Sequence, residues 1–198
     1  MYNTKTAVTQ TEEFNSSYIA AGINENITLK EVNVRKSPTD KDFLEIIFED
    51  AEGRTATMTE WKNEKNMWIK TDEDLQKRDD LQFGRIMQLI NCYYPTIEGE
   101  FNTFKEMIEW VKKTLDPVIP TKKLLRLKIV YDKNNYTRVS TNGIYVEIMD
   151  TKETKIKKFA RDNFERQIVA DKETMKDPLA DTMSDVPVNT TSDDGLPF

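Results

Sequence analysis

From Gly22 onward, apolar and polar residues alternate with a period of two. The spacing turns helical near Asp72 and returns to alternation near Lys123. In ENITLKEVNVRK, Ile27 and Leu29 share one face, but Val32 and Val34 have the opposite parity. One extra residue at 30–31 would account for the slip, so a β-bulge and a bent strand are predicted there. DFLEIIFED sets Leu44, Ile46 and Phe48 against Phe43, Glu45 and Ile47. A turn at residues 50–53 then leads into RTATMTEWK, whose threonines and Trp61 suit a strand. Beyond Asp72, Leu75, Phe83, Ile86, Met87, Ile90 and Tyr94 trace a helical stripe that stops before Pro95. Thr103 with Glu106 forms a capping-box pattern, and Phe104, Met107, Ile108, Val111 and Leu115 repeat at helical spacing until Pro117. In KLLRLKIVYD, Leu125, Leu127, Ile129 and Tyr131 share a face opposite Leu124, Arg126, Lys128 and Val130. A last strand is expected in YTRVSTNGIYVEIMD, with Asn142-Gly143 adding a bend or bulge, and the basic stretch TKETKIKKFARDNFERQ is expected to form a final helix.

Three strands, a helical insertion at residues 72–116 and two strands give a mainly β fold. This is the element order of a five-stranded OB-type Greek-key barrel with its helices between strands three and four. A mixed α+β sandwich has the same order, so the pattern leaves both open. Residues 1–21 are expected as a flexible arm in which Phe14, Tyr18 and Ile19 dock on the body, and residues 22–168 as the folded domain. Residues 169–198, rich in Pro, Thr, Asp and Ser, are expected as a disordered acidic tail.

Composition narrows the chemistry. The 198 residues include 29 Lys+Arg against 35 Asp+Glu, a single cysteine and no histidine. Histidine-based triads, His-ligated zinc and disulfide frameworks are therefore excluded. No GxxxxGK[ST] or GxGxxG loop occurs. The acids Asp72, Glu73, Asp74, Asp79 and Asp80 read as solvated helix residues rather than a metal cluster. Neither catalysis nor a cofactor nor a bound metal is expected. The absence of an apolar membrane-length run, or of a signal-like start, points to a cytoplasmic protein without membrane attachment. Charge is unevenly spread. Residues 121–168 hold twelve bases against six acids, and residues 171–198 hold seven acids against two bases.

The tail ends Ser192-Asp193-Asp194-Gly195-Leu196-Pro197-Phe198. A proline limits the entropy lost on binding, Phe198 suits an apolar pocket, and its carboxylate with Asp193 and Asp194 suits a basic rim. These residues resemble the C-terminal tip of bacterial-type single-stranded DNA-binding proteins, with Asp193, Asp194, Leu196, Pro197 and Phe198 on the matching positions. Gly195 stands where that family carries an acid, and Leu196 replaces isoleucine. The N-terminal arm and long helical insertion depart from the bacterial body and are more in keeping with a phage- or plasmid-encoded member. The resemblance implies a non-catalytic protein of DNA replication, recombination or repair. It would coat single-stranded DNA and recruit polymerase, primase, helicase or nuclease partners through the tip. A replication or recombination accessory factor (a helicase loader or mediator) sharing that tip is the alternative. Oligomeric state stays open.

A single strand is bound without sequence preference by a basic groove with aromatic faces. The candidates are Trp61 and Trp68 among Lys62, Lys65 and Lys70; Tyr131, Lys133, Tyr136 and Arg138 around the last hairpin; and Arg126 and Lys128 on the polar face of their strand. Arg35 and Lys36 at the end of the first strand, and Arg54 before the third, complete the set. Trp110, Phe83, Tyr93, Tyr94 and Cys92 are assigned to packing.

Overall fold

A computed structural model describes residues 17–166. The chain runs β1 (Gly22–Lys36), β2 (Asp42–Glu49), β3 (Thr55–Trp61), α1 (Asp72–Asn91), α2 (Phe104–Leu115), a 3-10 turn (Asp116–Thr121), β4 (Leu125–Tyr131), β5 (Thr137–Val139) and β6 (Val146–Ile148). The strands form one mainly antiparallel sheet in the order β3-β2-β1-β4-β5, with β6 also on β4.

The predicted bulge is present. Leu29 pairs with Phe48 and Glu31 with Ile47, leaving Lys30 as the extra residue. Two residues before the bulge β1 changes neighbour: Gly22 to Ile27 pair with β4, while Thr28 to Lys36 pair with β2. A second irregularity lies between Asn24 and Ile27, where Asn26 has φ 58°. Inward positions Ile27, Leu29, Val32, Leu44, Ile46, Phe48, Leu125, Leu127 and Ile129 are all buried. They share one core with Ile86, Leu89 and Ile90 of α1 and Ile108, Val111 and Leu115 of α2. Thr71 caps α1 in a capping box with Asp74, and Thr103 caps α2 through the Glu106 N–H. The docking expected before β1 occurs at Ile19, which is buried and donates its N–H to Thr55 O at 3.0 Å; Phe14 lies outside the described residues.

The structure corrects three expectations. First, the expected last strand is divided into β5 and β6, which lie along the same edge of β4. Ser140 N donates to Lys128 O (2.9 Å) and Lys128 N donates to Tyr145 O (2.8 Å), so residues 141–144 loop out opposite Lys128. Gly143, with φ +62°, makes that excursion possible, and the Phe159 ring lies 2.7 Å from where a Cβ would stand. Second, the sheet is open rather than a closed five-stranded barrel. Cα atoms of β3 and β5 come within 8 Å, but no ladder joins the two. Side chains of α1 link the two sides instead. Gln82 Nε2 donates to Glu60 Oε2 and Trp61 O, both at 2.8 Å, and Arg85 donates to Glu60 at 2.9 and 3.0 Å. On the other side, Tyr145 Oη donates to Arg85 O, and Gln88 accepts from Tyr145 N and donates to Gly143 O. Third, the described part of the expected final helix, residues 151–166, forms no helix but lies as a loop against β4, with Tyr131 N donating to Asn163 O at 2.7 Å. The acidic tail expected at 169–198 lies outside the described residues.

Candidate nucleic-acid interface

The alternation of β4 turns Arg126, Lys128 and Val130 away from the face of Leu125, Leu127 and Ile129, as the sequence predicts. The loop that replaces the expected helix then covers Lys128. Its ammonium, with a side-chain exposure of 0%, pairs with Asp162 Oδ2 at 3.0 Å and donates to Asn142 O (2.7 Å) and Lys157 O (3.0 Å). It also sits 4.7 Å from the centre of the Phe159 ring. Asp162 accepts from Asn142 Nδ2 (2.7 Å), Phe159 N (2.9 Å) and Ser140 Oγ (3.3 Å). Burial alone would raise the Asp162 carboxyl. The hydrogen bonds from Asn142 and the Phe159 N–H, with Lys128 beside it, outweigh burial and hold it below the ordinary carboxylate value. Lys128 is therefore an anchor, not a groove residue.

A cleft of about 360 Å³ opens between this loop and the β4–β5 hairpin, lined by Tyr131, Lys133, Arg138, Asn142, Arg161 and Asn163. Asp132 is also at its wall, but its Oδ1 is spent on the N–H groups of Asn134 (2.8 Å) and Tyr136 (2.9 Å), which shape the hairpin turn. Lys133, Arg138 and Arg161 are exposed and form no ion pair among the described residues. Tyr136, in the same turn, is 70% exposed, and the Arg166 guanidinium lies 5.6 Å from the Tyr131 ring.

The remaining cationic candidates divide sharply. Arg35 pairs with Glu45 (2.8 Å), Lys36 with Asp40 (2.7 Å) and Lys65 with Asp72 (2.6 Å). Arg54 is held by Asp50 (2.7 Å) and Glu52 (3.0 Å) within its own turn. Arg126 bonds Glu147 and also Glu25, the latter at 3.0 Å. Local acids thus neutralise these five. Lys62 and Lys70 stay exposed, with no ion pair among the described residues. Between them Trp68 is 85% exposed. Trp61, 44% exposed, stacks on Phe43 with ring centres 4.3 Å apart.

Sequence reasoning passed over Phe43 and Arg161. Phe43 was legible in principle, because the turn at 50–53 sets a register that puts it opposite Trp61. Arg161 is one of the twelve bases of residues 121–168, but a helix over TKETKIKKFARDNFERQ gives it no place beside the hairpin. The packing assignments agree with the structure: Phe83, Phe101 and Trp110 form one aromatic cluster, and Tyr93 and Tyr94 pack against the core. Burial pushes the Cys92 thiol up to about 11, so it stays protonated and unreactive near neutral pH. Four of the acids along the first half of α1 have structural partners, Asp72 with Lys65, Asp74 in the cap, Asp79 with Asn63 and Asp80 with Gln76. Among the described residues no group of three or more acids and cysteines is placed to hold a metal ion, and no helix is long and apolar enough to cross a membrane. The tip residues Asp193, Asp194, Leu196, Pro197 and Phe198 lie outside the described residues. No protein-family model matches the sequence, and no curated protein is detectably similar to it.

Proposed function

We propose that this protein binds single-stranded DNA without catalysis, in replication, recombination or repair, and recruits partner enzymes through its acidic Asp-Asp-Gly-Leu-Pro-Phe segment. The observation that carries this reading is the convergence of Lys133, Arg138 and Arg161, all without ion-pair partners among the described residues, on one cleft beside an exposed tyrosine. Of the other candidate cations only Lys62 and Lys70 lack an ion pair among the described residues, and neither lines this cleft. A phosphate backbone seeks such a site, and exposed rings supply faces on which bases stack. The strand order adds support: β3-β2-β1-β4-β5, with β3 near β5, is the order of an OB-type barrel left open at one seam.

Titration with oligo(dT), followed by tryptophan fluorescence, tests the proposal. Stoichiometric, salt-sensitive quenching is expected, because Trp61 and Trp68 are both solvent-accessible. No binding at about 100 µM strand, the weak end of non-specific nucleic-acid affinity, would overturn it and leave the accessory-factor reading of the tip.

A further inference from the structure

We infer that the cleft between the β4–β5 hairpin and the 157–163 loop is a backbone-phosphate subsite, and that Arg161 is one of its binding residues. The inference rests on the single-strand reading above and assigns that reading a location and a residue.

Three features set this cleft apart from a merely basic surface. Its volume of about 360 Å³ falls within the range of ligand sites, yet its walls are mainly polar, with three cations and two amides beside Val130, Tyr131 and Thr141, rather than the apolar side chains typical of such pockets. A polar, anionic ligand is what such walls accept. Its one acidic side chain, Asp132, accepts the backbone N–H groups of the turn through Oδ1 and forms no ion pair with a cleft cation, so against three cations the lining stays net positive. The loop bearing Arg161 is fixed on both sides of that residue. Before it, Lys157 O accepts from Lys128 Nζ and Phe159 N donates to Asp162; after it, Asp162 is locked by Lys128, Ser140 and Asn142, and Asn163 O takes the Tyr131 N–H. Arg161 thus projects from an anchored backbone while its own guanidinium stays exposed and uncommitted among the described residues. Pre-positioning the backbone and leaving the head group free lowers the ordering cost of gripping a phosphate.

The salt dependence of binding measures this directly. Each phosphate neutralised on a single strand contributes about −0.7 to the slope of log K against log salt. Three cleft cations predict a slope near −2 from this site. Oligo(dT) binding is measured in the intact protein for the wild type, Arg161→Gln, Arg138→Gln and, as a charge-matched reference on α2, Lys113→Gln. Circular dichroism and urea midpoints check that each folds, which the exposure of these side chains favours. Arg161→Gln and Arg138→Gln are each expected to flatten the slope by about 0.7, while Lys113→Gln leaves it unchanged. A wild-type slope retained in both cleft variants would overturn the subsite while the single-strand reading stands. Equal flattening in Lys113→Gln would overturn it in favour of diffuse attraction. A wild type that does not bind would remove the reading itself. Displacement of the strand by dTMP at equal phosphate concentration would overturn the backbone assignment and make the cleft a mononucleotide site.

Discussion

Lys128 holds β4 and the C-terminal loop together. Its ammonium is fully enclosed and paired, so removing it strands the Asp162 carboxylate in the interior. Breaking such a buried pair costs about 3–5 kcal/mol. Lys128→Met is therefore expected to lower the unfolding free energy by that amount at neutral pH, read as a lower urea midpoint with the slope of the unfolding transition unchanged. Acid should act through the same atoms. The folded-state pKa of Asp162 is depressed, so the stability it contributes is fully present above the unfolded carboxylate value of about 3.9 and is lost as pH falls through the lower folded value. Asp50 and Glu147 are shifted in the same direction: burial opposes the shift, and hydrogen bonds from Arg54 at the first, and from Thr154, Lys155 and Arg126 at the second, overcome it. Urea midpoints should therefore fall steadily from about pH 5 downward. The acid-linked loss should be shallower in Lys128→Met, where one cause of the Asp162 depression is missing. That Lys128 leaves the inner face of β4 was legible from alternation. That it is buried was not, because the groups covering it lie 14 to 34 residues further along the chain.

At the scale of elements, local rules served well wherever an element is set by its own residues. The phase slip at Lys30, the Thr103 cap and the apolar stripes of both helices are readable from spacing, whereas the Thr71 cap of α1, paired with Asp74, comes from the structure. Local rules failed for residues 151–166, where the lysine-rich stretch lacks an apolar stripe of its own and is held by β4 instead of by helical hydrogen bonds. They failed again at the open seam, where α1 supplies the linking groups. Glu60 is buried and depends on Gln82 and Arg85. Arg85→Ala leaves that carboxylate with one side-chain partner and is expected to cost about 1–3 kcal/mol, read as a lower urea midpoint. If Arg85→Ala were neutral, the link between α1 and β3 would contribute nothing to stability.

Across the described body, the separation of charge into satisfied and uncommitted groups matters more than the excess of either sign. Arg35, Lys36, Arg54, Lys65 and Arg126 are neutralised by acids brought beside them by turns and strand pairing, so among the candidate groove cations those of the cleft and of the Lys62–Lys70 stretch are the ones without an ion pair. The amino-acid sequence by itself determined the parity of the strands, the bulge, the Thr103 cap and the exclusion of histidine and disulfide chemistry, because each depends on nearest neighbours or on which atoms exist at all. Only the tertiary structure decided which cations are free, that Lys128 is an anchor, and that Arg161 stands beside the hairpin. Pairing and burial depend on groups distant along the chain, and the alternation of one segment carries no record of what another will lay across it.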